Sequence, residues 1–210
     1  MTTASTRANA RKHIDSGKTL DKLTPYCSGR TLLDVGCGYG EFVYVANSSG
    51  WRAEGLEIDA DRRASAGAKY GIFVHMGEIT ELSFNKRYAL ITLNSVIQYT
   101  ANPLDILKKC YALLEDNGVL YLEAMNYDSP LYKYDSIPPD IKWHYNREAF
   151  NKTIDAAGFR IVKSWISGSS GGWSGKHGLF KNVIRKLYIW VLYLTGRSFL
   201  LSVICLKKRS

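Results

Sequence analysis

The sequence is poor in the residues that build cross-links and metal cages. Its four cysteines, Cys27, Cys37, Cys110 and Cys205, form no C-x-x-C pair, and its four histidines, His13, His75, His144 and His177, do not cluster. That scatter argues against a disulfide framework and against a zinc site, so no metal is expected and the thiols should be reduced and mostly buried. Acid is scarce at one end. Residues 141–210 carry 13 Lys and Arg against two Asp and Glu, whereas residues 1–140 carry 15 against 17. The excess behind the net charge of +9 therefore lies in the last third. It turns that part toward an anionic partner (a phosphorylated substrate, an anionic membrane surface or a nucleic acid) or leaves it as a solvated basic face.

Long hydrophobic runs are also missing. The opening "MTTASTRANARKHIDSGK" has cations with no apolar stretch behind them, so it does not read as a secretory signal, and a cytoplasmic location is expected. The run "LYIWVLYL", residues 187–194, has eight apolar residues, where a bilayer core takes roughly 20. With Lys181, Arg185, Lys186, Tyr188, Trp190 and Tyr193, the stretch 180–194 has the composition of an interfacial helix and could make peripheral membrane contact. The other reading, slightly preferred, is a helix packed on a sheet or at a homodimer contact.

What remains is one well-stocked core: 210 residues, 46% hydrophobic, with five tryptophans, enough for a single domain. After a polar segment over 1–29, apolar runs alternate with helix-like segments. "TLLDV", "RAEGLEI", "IFVHM", "YALITLN" and "VLYLEAM" read as strands. Between them "EFVYVANSS", "DRRASAGAKY" and "NPLDILKKCYALLEDNG" read as helices, the last opened by Pro103 and stopped by Gly118. A long loop over 126–145 follows, then a helix capped by Asn146 and stopped by Gly158, and a strand "FRIVKSWI". A glycine- and serine-rich excursion over 167–178 and a last strand near 198–206 complete the chain.

The chemistry concentrates in "TLLDVGCGYGEF", residues 31–42, where Gly36, Gly38 and Gly40 follow Asp34. A dinucleotide fingerprint places glycine at position 41, which here is Glu41, and no Gly-Lys-Ser/Thr marks a phosphate loop. Asp34 and Glu41 would also repel a pyrophosphate. An acid, G-x-G-x-G, and a second acid, Glu57, at the end of the next strand resemble the cofactor site of class I S-adenosylmethionine-dependent methyltransferases. In that family the first acid lies beside the loop around the methionine part of the cofactor, and the glycines admit its backbone-close approach. The second acid, here Glu57 with its neighbour Ile58, binds the ribose hydroxyls. The cofactor carries a sulfonium, an ammonium and a carboxylate and has no phosphate, which suits acids beside a helix start.

The resemblance extends over nearly the whole chain after residue 30. In "HMGEITEL", Glu78 takes the place of an acid that approaches the adenine amino group, and Ile79 would line the ring. "YALITLNSVIQYTANPLDILKKCYALLEDNGVLYLEAMN" is similar to the branch that includes the ubiquinone-biosynthesis enzymes and many glycan and natural-product methyltransferases, with Asn94 and Ser95 at the strand end facing the cofactor. Where that branch often has a Glu-His pair, this chain has Gln98 and Tyr99. The resemblance implies an α/β fold: a Rossmann-like, seven-stranded, mostly parallel sheet with helices on both faces and the last strand antiparallel. Residues 30–125 would bind S-adenosyl-L-methionine. The 1–29 segment, the 126–145 loop and the basic part up to 210 would cover the substrate.

The expected reaction is methyl transfer to a small molecule, glycan or lipid-linked acceptor, by preference at oxygen. His144, in "PPDIKWHYNREAF", is a candidate general base, and a loop histidine bonded to backbone is the alternative. Two rivals stand beside this reading. A nucleic-acid methyltransferase would use the basic last third, although no Asp/Asn-Pro-Pro-aromatic motif follows the fourth strand and nucleic acid is not the expected partner. A non-catalytic protein that kept the fold is the other.

Overall fold

The computed structural model describes residues 3–129, 139–167 and 200–208. The expectations placed on 168–178 and 180–194 lie outside these residues. Seven strands form one sheet in the order β3-β2-β1-β4-β5-β7-β6. They are β1 (Thr31–Val35), β2 (Arg52–Glu57), β3 (Val74–Met76), β4 (Tyr88–Asn94), β5 (Leu114–Met125), β6 (Phe159–Ser167) and β7 (Leu200–Lys207). The first five pair in parallel, and β7 inserts antiparallel to both β5 and β6, as the family pattern implies. β1 and β4 lie in the middle of the sheet and are covered on both faces, which is why they read as nearly continuous apolar runs.

The two faces bury separate cores. On one, α4 (Pro103–Leu113) and α5 (Arg147–Ala156) pack Leu107, Cys110, Phe150 and Ile154 over Leu33, Ile91 and Leu122. On the other, α1 (Thr3–Leu23) and α2 (Glu41–Ser48) pack Leu20, Leu23, Val43 and Ala46 over Leu32, Leu90 and Tyr121. Tyr121 of β5 stacks on Trp165 of β6 at 5.8 Å, and the Lys22 ammonium of α1 lies 5.4 Å from the Trp165 ring centroid.

Helix ends follow the side chains that cap them. α3 (Ala60–Tyr70) starts at Asp59, which accepts from Asp61 N and Arg62 N, and ends at Gly71 with φ 64°. Asn102 caps α4 ahead of Pro103, and the Asn146 side chain accepts from Ala149 N at 2.8 Å at the start of α5. Gly158, with φ 89°, follows the end of α5. Each satisfies N–H or C=O groups that a helix terminus leaves open.

Two elements differ from the sequence-based expectation. The N-terminal segment contains a 21-residue helix, and Leu20 and Leu23 in its last turn are part of the core. It therefore completes one face of the sheet as well as lying over it. At His13 the helix meets the outer surface: Nε2 lies 3.0 Å from the Tyr70 hydroxyl, beside the stacked Tyr44 and Tyr70 rings. The second correction concerns Gly118. α4 ends at Leu113 and β5 begins at Leu114, so Gly118 lies within the strand segment and is no helix stop. Pairing jumps from Tyr88↔Leu114 to Leu90↔Val119, and a Cβ on Gly118 would press on the Glu115 backbone in that irregularity.

β3 pairs only with Gly55–Glu57, and beyond it the Asn47 amide takes over as a surrogate strand. Its Nδ2 donates to Ala53 O at 3.1 Å and its Oδ1 accepts from Ala53 N at 2.9 Å. Asn47→Ala leaves both buried backbone groups open, and urea unfolding should show a loss of about 1–3 kcal/mol with an unchanged m-value.

Candidate active site

The glycine loop is tied to the end of β2. Gly36 N and Cys37 N both donate to Leu56 O, at 2.7 and 3.0 Å, and Gly40 N closes a turn on Cys37 O at 2.9 Å. The Glu57 carboxylate bridges the next two segments: Oε2 accepts from Gly38 N at 2.8 Å and Oε1 from Asp59 N at 3.0 Å. Glu57 is 5% exposed. Each oxygen keeps a second lone pair for a ligand hydroxyl.

All three glycines have left-handed backbones, with φ 69°, 57° and 79°. Their surroundings separate their roles. A Cβ on Gly36 would run into the Val96 methyls, and one on Gly40 into Ile72 and Ala66, whereas one on Gly38 would meet nothing within 4 Å. Gly36 and Gly40 serve packing, and Gly38 opens a cradle. α2 begins directly behind it at Glu41, with Gly40 supplying no side-chain cap, so its first N–H groups suit an anionic ligand group. The Glu41 carboxylate lies 3.9 Å from Lys69 Nζ of α3, which draws its charge away from the loop.

Asp34 lies on β1 just before the loop and is 2% exposed. Its Oδ1 accepts from Thr92 Oγ1 at 2.6 Å and from Asn94 Nδ2 at 3.1 Å, both on neighbouring β4. Burial pushes its carboxyl up to about 7, the two hydrogen bonds oppose the rise, and the nearby Glu57 charge adds to it. The structure thus brings Asp34, Gly36, Gly38, Gly40, Glu57 and Asn94 together at the carboxyl ends of β1, β2 and β4, the usual place for a ligand crevice in such a sheet. Ile58, 59% exposed, lies next to Glu57, and Glu78 is exposed. Ile79 departs from the expectation: at 1% exposed it is a core side chain and offers no surface to a ring.

Past β5, residues 141–145 are pinned across the carboxyl end. Lys142 N and Trp143 N donate to Gln98 O at 2.9 and 3.0 Å, Trp143 Nε1 to Thr100 O at 2.9 Å, and Tyr127 N to Tyr145 O at 2.7 Å. This places the exposed His144 beside Tyr127, with ring centroids 5.5 Å apart.

Glu123 and Tyr145 were not singled out from sequence, and Gln98 was noted only as a departure from the family's Glu-His pair. Glu123 is a mostly buried acid in the otherwise apolar second half of β5, a pattern that "VLYLEAM" does display. Gln98 is 1% exposed; its amide lies close to the Tyr99 hydroxyl, yet neither amide atom makes a hydrogen bond. The buried Tyr145 hydroxyl lies near Thr153 and is likewise unbonded. Nothing local in the sequence marks Tyr145.

The donor set fits a cationic nucleoside without phosphate. An open backbone cradle and a helix start can take a carboxylate, Glu57 can take vicinal hydroxyls, and Asp34 supplies the opposite charge for a cation. Comparison with known proteins agrees. A family model described as a methyltransferase domain matches residues 9–164. Ubiquinone biosynthesis O-methyltransferase of Haemophilus ducreyi is 26% identical over 109 residues, covering 47% of this chain and 46% of that protein. The chain thus spans about half the length of the curated relatives it matches. Among solved structures, a SAM-dependent methyltransferase from Archaeoglobus fulgidus superposes with TM-score 0.68 at 21% identity, covering 93% of this chain and 94% of that one. Magnesium protoporphyrin IX methyltransferase from Synechocystis PCC 6803, with bound SAH, superposes with TM-score 0.65 at 13% identity, covering 96% and 85%.

Two measurements probe this geometry. Because Asp34 has a raised folded-state pKa, the folded protein holds its proton more tightly than the unfolded chain does. Stability is then fully present below about pH 4 and declines as pH rises to about 7. Asp34→Asn, whose Oδ1 can accept both hydrogen bonds, should remove that decline, raise the ligand-free stability at pH 8 by on the order of 1–4 kcal/mol, and weaken S-adenosylmethionine binding at least about tenfold by calorimetry. Gly38→Ala should cost about 1 kcal/mol in unfolding and abolish measurable cofactor binding. Gly36→Ala, which also meets Val96, should cost about 2–4 kcal/mol.

Proposed function

This chain belongs to the methyltransferase domain family of S-adenosylmethionine-dependent enzymes, and we propose that it methylates a hydroxyl oxygen of a small-molecule, glycan or lipid-linked acceptor. The observation that carries the reading is a buried amide just past the carboxyl end of β4. Both Gln98 amide atoms are buried without a hydrogen bond where the 97–99 turn meets residues 141–145. Buried polar groups are nearly always paired, and an unpaired amide at that end of the sheet suits a polar acceptor that completes it. The relatives named as O-methyltransferases support oxygen as the atom methylated.

The bound cofactor supplies a methyl group already activated on a sulfonium. The chain has three remaining tasks: hold the donor, align the acceptor and receive its proton. Glu57, the Gly38 cradle and the start of α2 hold the donor. Asp34 orients Thr92 and Asn94 at the floor of the crevice. Gln98 and the 141–145 segment hold the acceptor, with the basic last third available to an anionic or membrane-held one. No described helix is long and apolar enough to cross a membrane.

The test is incubation with methyl-tritiated S-adenosylmethionine and three separate pools: polar small molecules, extracted lipids and total RNA. Label is expected in the first or second pool, in a form stable to mild alkali, as an ether is and an ester is not. Label in RNA, or none in any pool from protein that binds the donor, would overturn the reading.

A further inference from the structure

β5 carries a carboxylate that the donor site does not use. Glu123 pairs in register with Asn94 of β4 and with Ser202 of β7. It therefore lies on the face of the sheet that carries Asp34, Thr92 and Asn94. Two strand spacings across and two residues along separate the Asp34 and Glu123 backbones, on the order of 12 Å. The Thr92 and Asn94 side chains lie between them and are bonded to Asp34.

Three hydroxyls converge on this carboxylate. Oε1 accepts from Ser95 Oγ at 3.3 Å, and Oε2 accepts from Tyr121 Oη at 3.3 Å and from Ser202 Oγ at 3.4 Å. All three bonds are long and come from neutral donors, and no ion pair to Glu123 occurs among the described residues. The neighbouring charges are Asp34, reached through Asn94, and Lys22, whose ammonium lies against the Trp165 ring stacked on Tyr121. Burial raises the Glu123 carboxyl above its ordinary range, and the three hydroxyls oppose the rise. Tyr121 is pushed well above its own, so it stays a donor throughout.

Ser95 is the second observation. Among the described residues it is the one non-glycine with a left-handed backbone, φ 57°, directly after β4. Both its ends are fastened to Glu123: its N–H donates to Glu123 O at 2.9 Å and its hydroxyl to the carboxylate. Strain of this kind persists where the surroundings enforce it, and it concentrates at working sites.

We infer that Glu123 receives the acceptor's proton through the hydroxyl of Ser95. The inference rests on the oxygen-methylation reading above. As the oxygen–methyl bond forms and the sulfur–methyl bond breaks, Ser95 Oγ takes the acceptor's O–H proton and passes its own to Glu123 Oε1. The sulfonium charge and the carboxylate charge disappear together, leaving a neutral sulfide and a neutral carboxylic acid that returns its proton to solvent.

The experiment measures dissociation constants of S-adenosylmethionine and S-adenosylhomocysteine from pH 5.5 to 8.5 for the full chain and for Glu123→Gln. Ionised Glu123 favours the sulfonium over the sulfide, so the wild-type preference should rise about three- to tenfold more with pH than that of Glu123→Gln. Asp34 contributes equally to both proteins and drops out of the difference. Infrared titration should show a carboxylic acid band that Glu123→Gln lacks. With the pool that accepts label, Glu123→Gln and Ser95→Ala should each lose at least about 10²-fold in turnover, while Ser95→Ala retains a pH dependence of binding, displaced to higher pH by loss of the hydrogen bond that opposes the rise of Glu123. Donor binding whose pH dependence is the same in Glu123→Gln as in wild type overturns the inference alone. Failure of the wild type to bind either nucleoside overturns the methyl-transfer reading and this inference with it.

Discussion

The carboxyl end of the sheet is referenced to the last two residues of β2. Leu56 offers its carbonyl to Gly36 and Cys37, and Glu57 offers its carboxylate to Gly38 and Asp59, so one strand end fixes both the glycine loop and the approach to α3. The loop thereby has its shape before any ligand arrives, which lowers the ordering cost of binding. The same constraint dictates residues nearby. A Cβ on Gly55 would press on Cys37 Sγ, so the strand needs glycine there for the loop to lie close. Burial raises the Cys37 thiol above its ordinary range, and the Asp34 and Glu57 charges push it further, which makes Cys37 a packing residue and a poor nucleophile.

The second organising fact is a row of acids with no cation paired to them among the described residues. Asp34, Glu57 and Glu123 all lie near the carboxyl ends of their strands, where two have carboxyl groups raised by burial and the third is spent on backbone N–H groups. Arranging three carboxylates in one low-dielectric crevice destabilises the empty protein. A cation entering the crevice recovers that free energy, and a sulfonium that becomes a sulfide gives it up again when the reaction ends. On the proposed reading, product release is favoured by the same charges that favour donor binding.

How much of this could be read from the chain depends on range. The loop motif, Glu57, the caps at Asn102 and Asn146 and the insertion of β7 follow from local pattern or from resemblance, because each is encoded within a few residues. α1 was less legible, since the side chains that anchor it to the core, Leu20 and Leu23, come only in its last turn. "LEDNG" continues the helical period of α4 while the register with Tyr88 makes it strand. Ile79 follows an acid at a suggestive place, but local spacing does not reveal which way a side chain turns. Glu123 needs partners 28 and 79 residues away, at Ser95 and Ser202, before it means anything.

That difference in range explains why donor and acceptor are unequally legible. The donor is gripped mainly by backbone and by acids adjacent to it, so spacing alone describes its site. The side chains proposed to meet the acceptor come from β4, β5, the 97–99 turn and the 141–145 segment, and are joined only by the fold. At 98 and 99 this chain has an amide and a phenol, and neither is suited to take a proton: the amide is neutral, and burial together with the Asp140 charge raises the Tyr99 hydroxyl. On the oxygen-methylation reading, the acceptor's proton then goes to another group, either His144 beside Tyr127 or a buried acid. Glu123, joined to the strained Ser95 and with no ion-pair partner among the described residues, is the acid to which the inference assigns it.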